Sequence, residues 1–183
     1  MSVRFKFDFE KTHAVALFLA GRSLPGFTVY KAIKLIFLAD KHHLVSYGRL
    51  ITGDEYVAME LGPVPSKTYD LLGKVVKGEI SGAERTALAS TLEIDKKFRY
   101  PQMTAAVDFN RNVLSKSDIE SLEKISILHG QKDFFELGAL THEIPAFKRI
   151  WDNRPKDSKC EKMFFEDFFE QEADALAGVF EAM

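Results

Sequence analysis

"ITGDEYVAMELGPVPSKTYDLL", residues 51–72, packs two turn signals, a short apolar alternation and a helix start into little more than twenty positions. Tyr56, Ala58 and Glu60 fall on one side of an extended chain, and Val57, Met59 and Leu61 on the other. The alternation predicts a short strand. Gly62-Pro63 ends it, because proline donates nothing to a ladder and restricts the residue before it. Gly62-Pro63-Val64-Pro65 then reads as a rigid joint fixing the angle between strand and helix. Ser66 reads as the N-cap of that helix, with Tyr69, Leu72, Val75 and Val76 turned inward and a stop at Gly78. Such a joint serves a catalytic site, a nucleic-acid groove or a surface for another protein.

Upstream, Thr28 can cap a helix that runs through Leu44 to Gly48. Ile33, Phe37, Asp40 and Leu44 form a 3–4 stripe on it, so a carboxylate sits among apolar positions. A buried charge is costly unless paired or hydrogen-bonded. Asp40 is therefore either a site acid or an anchor accepting from Tyr56, Tyr69, Arg49 or loop amides. The anchor is favoured, since buried acids are as a rule satisfied. Further upstream, Val3, Phe5, Phe7 and Phe9 alternate with Arg4, Lys6 and Asp8, which predicts an extended edge segment before a helix over 11–22.

Downstream, residues 77–91 are polar and small and read as a loop or a short helix within one. Residues 92–100 alternate like a strand, with a return near 105–109. Ser117-Asp118-Ile119-Glu120 has the form of a capping box in a helix over 115–128. Asp133 can cap the next helix, with Phe134, Leu137 and Leu140 inward, and Pro145 restarts the chain. Residues 153–159 read as a linker. Glu161–Met183 reads as an amphipathic helix, with Phe164, Phe165, Phe168, Phe169, Leu176, Val179 and Phe180 on one face and acids behind. The expected fold is α+β and mainly α-helical. It has a small antiparallel sheet or hairpin in a domain over 1–155, and a linker and acidic helix over 156–183.

The chain has 183 residues, 46% of them hydrophobic, including 16 Phe, which suffices for one well-filled core. The net charge is −2, against a polycation that seeks nucleic acid. It is unevenly spread: Glu161–Met183 carries seven acids and one lysine, leaving a mildly basic body. Such a tail docks on its own core, lies in a partner's groove or forms a dimer contact. The single cysteine, Cys160, permits no intrachain disulfide, and a reducing cytoplasm is the natural setting. No apolar run is long enough for a membrane span.

Catalytic motifs are absent. Five histidines show no metal-ligand spacing, "HEIPA" at His142 lacks the second histidine of a zincin, and no cofactor is expected. His142 is better placed to hydrogen-bond near the kink before Pro145. There is no phosphate-binding glycine loop and no nucleophile elbow. A winged-helix DNA-binding regulator is the main rival reading. The helix from Ser66, however, carries only Lys67, Lys74 and Lys77 against Asp70, with no arginine to read guanine. An enzyme using Asp40 and His142 is the second rival.

Two blocks resemble one family. Lys34, Leu35, Phe37, Leu38, Ala39 and Asp40, then Tyr47, Gly48 and Arg49, Ile51 and Thr52, Tyr56 to Met59, Gly62 to Ser66 and Tyr69 follow the pattern of the Panacea domain, the SocA-like antitoxins. Leu114, Ser115, Ser117, Asp118 and Leu122 match its second block, as do Leu140, Thr141, His142, Pro145 and Ala146, with Phe147 in place of the usual Trp. The likeness runs from about Lys11 to Trp151. It implies a non-enzymatic antitoxin that neutralises a cognate toxin by direct contact, or a proteolytic adaptor that delivers the toxin to ClpXP. It also implies that the motif core (Asp40, Tyr47, Gly48, Arg49, Tyr56, Gly62, Pro63, Val64, Pro65, Tyr69, Thr141, His142 and Pro145) shapes the fold or the partner-facing surface. The tail lies beyond the likeness and offers Phe164, Phe165, Phe168, Phe169 and Phe180 as further contacts. Its acidic face would steer a basic toxin.

Overall fold

A mainly helical α+β fold arises from these patterns in a computed structural model that describes residues 5–168. Asp8 caps α1 (Phe9–Ala20), accepting from the Lys11 backbone N–H at 3.0 Å. Thr28 caps α2 (Val29–Tyr47), and Gly48, at φ 73°, ends it in the left-handed conformation that costs glycine least. A hairpin follows, β1 (Tyr56–Met59) and β2 (Gly62–Pro65), then α3 (Ser66–Lys77), α4 (Ala83–Thr91) and a second hairpin, β3 (Leu92–Asp95) and β4 (Gln102–Ala105). Three helices close the order: α5 (Lys116–His129), α6 (Phe134–His142) and α7 (Pro145–Asp152), trailed by a short strand, β5 (Cys160–Lys162), and a 3-10 turn at Phe165–Phe168. Among the described residues no helix is long and apolar enough to cross a membrane.

α2 is the axis. Every residue from Lys31 to Asp40 is buried, so it is walled on all sides rather than along one stripe. It packs against α5, β2, α3 and α6. The first sheet has the order β2-β1-β5, all antiparallel, with Val57 opposite Val64 and Ala58 opposite both Pro63 and Glu161. Tyr56 and Ala58 face the core, as the alternation predicts.

Several expectations change. The segment before α1 joins no sheet over Phe5–Asp8. The Asp8 N–H donates to the Thr52 carbonyl at 2.9 Å, and the alternation reports that Phe5, Phe7 and Phe9 lean on the body. Gly62-Pro63-Val64-Pro65 is not a stop but the second strand of the hairpin. It lies at the sheet edge, where proline's missing donor costs little. Ser66 makes no cap. Asp54, twelve residues upstream, accepts instead from the backbone N–H groups of Lys67 (3.1 Å) and Thr68 (2.8 Å) and from the Thr68 hydroxyl (2.7 Å). The capping box of α5 is Ser115 with Asp118, not Ser117 with Glu120.

Finally, residues 161–168 are not helical. β5 pairs with β1, Phe165 meets Phe5 edge-on at 4.9 Å, and Phe168 is buried against Phe37 and Tyr56. Phe164 alone of these three is exposed. The expected helix over 169–183, with Phe169 and Phe180, lies outside the described residues. The second hairpin pairs Leu92–Asp95 with Gln102–Ala105, slightly earlier than the expected return.

Because the cap of α3 comes from Asp54, Asp54→Ala should lower stability by about 2–3 kcal/mol, a lost cap plus stranded buried donors. Ser66→Ala should change it by less than about 0.5 kcal/mol. Urea unfolding of both variants checks the contrast.

Candidate partner-binding groove

Two buried carboxylates frame the site. Asp40 Oδ1 accepts from the N–H groups of Ile51 (2.7 Å) and Thr52 (3.1 Å). Its Oδ2 accepts from the Thr52 hydroxyl and, at 2.7 Å, from the Tyr56 hydroxyl. Burial pushes the Asp40 carboxyl up from its ordinary range, and the hydrogen bonds from Thr52, Tyr56 and Ile51 oppose that rise. Burial and the nearby Asp40 charge drive the Tyr56 phenol well up. Neither Arg49 nor Tyr69 joins this cluster.

Arg49 belongs to the second carboxylate. Burial alone would raise the Asp118 carboxyl. Hydrogen bonds from His43, Lys11 and the Ser115 N–H outweigh it and hold the carboxyl well below the usual range. Lys11 Nζ is 2.8 Å from Oδ2, and Arg49 Nη2 is 2.8 Å from Oδ1. The His43 ring lies 3.1 Å from Oδ1. This cluster ties α1, α2 and α5 together. The Tyr47 ring packs against His43 at a tilt, with centroids 4.7 Å apart, and its hydroxyl reaches Glu120 at 3.4 Å while the side chain stays half exposed.

The joint itself gathers both sequence blocks. Lys34 is fully buried and donates from Nζ to the Pro63 carbonyl at 2.9 Å. A side chain on Gly62 would put its Cβ 2.7 Å from Lys34 Nζ, 3.0 Å from Thr141 Oγ1 and 3.2 Å from the His142 ring. With φ at 97°, position 62 needs glycine both for backbone conformation and for space. Thr141 donates back to the Leu137 carbonyl at 2.9 Å. His142 is hydrogen-bonded to the Leu61 backbone and packs on Phe147 at 4.8 Å, so it serves the hairpin turn. Burial and the Lys34 charge lower its pKa. Pro145 opens α7 at its first position, where its missing N–H is no loss.

Burial brings the Lys34 amine down to about 7. Sequence reasoning missed this lysine as a site residue. The signal was there: Ala32–Ala39 is apolar at every position but 34, which marks a helix with no open side for an ammonium to reach.

Beside the joint lies an open groove of about 760 Å³. Its walls come from the first turns of α2, the β1–β2 turn with Leu61, α3 with Tyr69, the β3–β4 turn with Tyr100, and the start of α6 with Phe134. The lining is predominantly apolar. Leu61, Tyr69, Tyr100 and Phe134 are 54%, 46%, 65% and 44% exposed, and Phe135 beside them is 79% exposed. Tyr69, expected inward, thus stands on the rim, and Val64 lines the groove from β2. Among the described residues no group of three or more His, Cys, Asp or Glu side chains gathers where a metal ion could sit.

Lys34 makes stability depend on pH. Between about 7 and its ordinary value of 10.5, the unfolded chain holds a proton that the folded chain does not, so stability rises with pH. Unfolding free energies at pH 7 to 9.5 should rise by up to about 1.4 kcal/mol per unit more steeply in the wild type than in Lys34→Met. Equal slopes would place the Lys34 proton elsewhere.

A family model described as "Antitoxin SocA-like, Panacea domain" matches residues 33–148, from α2 into α7. No curated protein and no solved structure gives a significant match. The matched span takes in Lys34, Asp40, the β1–β2 hairpin, Asp118 and His142, and covers more than half of the chain. The chain therefore belongs to the SocA-like antitoxin family and carries its Panacea domain.

Proposed function

We propose that this protein is the antitoxin of a toxin–antitoxin pair and neutralises its toxin by direct contact through the groove face. The observation that carries the reading is the groove itself. It is concave and apolar, and its rim of half-exposed aromatic and aliphatic side chains is the anatomy of a protein-docking surface. Family membership supports a toxin as the partner.

The buried acids support binding over catalysis. Asp40, Asp54 and Asp118 each accept two or more hydrogen bonds or ion pairs from the frame around them. His142 and Asp40, the pair an enzyme would use, serve different parts of the fold: the β1–β2 turn and the loop before β1. A reacting set needs acid, base and substrate site converging.

Masking and delivery to ClpXP are two outcomes of the same docking step. Residues 169–183, with their acids and Phe169 and Phe180, are a second contact in this reading. Ending the chain after Phe168 keeps β5 and the buried Phe168 and so probes that contact.

The test uses co-expression with the toxic product of a neighbouring reading frame. Leu61→Glu and Phe134→Glu should weaken binding at least about 10-fold and abolish growth rescue, because a charge is placed in a desolvated contact. Val107→Glu, exposed elsewhere, should rescue like the wild type. Full rescue by both groove variants would overturn the docking face. Toxin half-life with and without the protease separates delivery from masking.

A further inference from the structure

The turn beside one end of the groove carries an excess of positive charge. Tyr100 and Pro101 line it, and they end the turn of the β3–β4 hairpin. Lys96, Lys97, Phe98, Arg99 and Tyr100 are all exposed. None of the ion pairs among the described residues involves Lys96, Lys97 or Arg99. Asp95, the acid of the same turn, accepts from the Lys97 backbone N–H at 2.9 Å. Arg99 lies over the Tyr100 ring at 5.5 Å. The hairpin is also fastened to the groove. The Met103 N–H donates to the Phe27 carbonyl at 2.8 Å, and Thr28, the cap of α2, bridges to Gln102. A turn with three cations against one acid is thereby fastened beside an apolar cavity that its Tyr100 and Pro101 line.

We propose that the groove seats an amphipathic segment of the partner protein, with its apolar side chains in the cavity and its carboxylates on Lys96, Lys97 and Arg99. This deepens the docking reading above and rests on it. The apolar lining selects for a protein segment: phosphates gain nothing from Leu61, Val64 and Phe134, whereas an apolar helix face is buried by them. A small amphiphile would fill the cavity but leave the outlying Phe135 uncovered. The cations then set polarity, favouring an acidic flank and repelling a basic one.

The test measures fluorescence anisotropy of the full chain with three synthetic 16-residue peptides. All carry Leu and Phe at helical i, i+3 and i+4 spacing and differ only in the remaining positions, which are Glu, Gln or Lys. At low salt the Glu peptide should bind at least about 5-fold tighter than the Gln peptide, and the Lys peptide weakest. The preference should vanish in about 0.5 M salt and in the Lys96→Glu, Lys97→Glu, Arg99→Glu triple variant. Leu61→Glu should weaken all three peptides. The triple variant changes only exposed side chains, and an unchanged melting temperature confirms its fold. Equal affinities for the three peptides overturn the proposal. So does a single-stranded oligonucleotide that binds the turn more tightly than the Glu peptide. A chain ended after Phe168 that binds the Glu peptide at least 5-fold better than the full chain also overturns it, by making residues 169–183 the occupant. If the peptides show no preference while Leu61→Glu and Phe134→Glu still lose rescue, the partner's chemistry falls and the docking face stands.

Discussion

The Asp40 carboxylate is the constraint on which the rest of the molecule depends. It sits in a helix buried on all sides, where an unpaired charge would cost several kcal/mol. Its compensation comes from one short loop: two N–H groups and a hydroxyl at Ile51-Thr52, and the Tyr56 hydroxyl just beyond. Satisfying Asp40 therefore fixes where the chain re-enters after α2. That placement starts β1, which carries β2, and it sets Asp54 where it caps α3 from a distance. One buried acid thus sets the course of the chain from the end of α2 to the start of α3.

Lys34 is the complementary case, a buried amine whose hydrogen bond goes to the Pro63 carbonyl. It lies under the hairpin turn and permits no Cβ at Gly62. The same contact pins the turn that carries Leu61 to the groove rim. A lysine here is a poor choice for stability, since burial lowers its amine to about 7. What it contributes is position. The amine recognises a carbonyl at one place in the hairpin, which an apolar side chain would not do.

The helices and their order were legible in the sequence because caps and periodicity are local. Thr28, Gly48, Gly78, Asp133 and Pro145 do what their types suggest. The errors came where a partner is distant. Ser66 looked like a cap, yet Asp54 reaches the helix end first, and no local pattern reveals a cap lent by a loop. Gly62-Pro63-Val64-Pro65 looked like a stop because proline disfavours strands. An edge strand of four residues tolerates it, and that depends on sheet order. The stretch from Glu161 has helical spacing of its phenylalanines, but the free edge of β1 captures Cys160–Lys162, and Phe168 fills a gap over Phe37. Asp40 was readable as an anchor from its stripe alone. Its partners Thr52 and Tyr56 lie close in sequence, whereas the four elements that join α2 in walling the groove come together only by tertiary packing.

Binding surfaces and catalytic sites make opposite demands on buried polar groups. A catalytic site keeps a charged group poised and incompletely satisfied, so that substrate can complete it. Here the buried acids are drawn inward as struts between elements, and the surface they hold in place is apolar and half exposed. The exposed residues on and beside the groove rim, Leu61, Tyr69, Tyr100, Phe134 and the cations at Lys96, Lys97 and Arg99, carry none of the hydrogen bonds to Asp40, Asp54 or Lys34 and none of the ion pairs to Asp118. Frame and rim are therefore separable. Substitutions on the rim leave the buried charges undisturbed, whereas substitutions at the buried charges loosen the frame that holds the rim in place. A fold divided this way keeps its architecture when the exposed rim is changed, because the contacts that hold it lie in the buried frame.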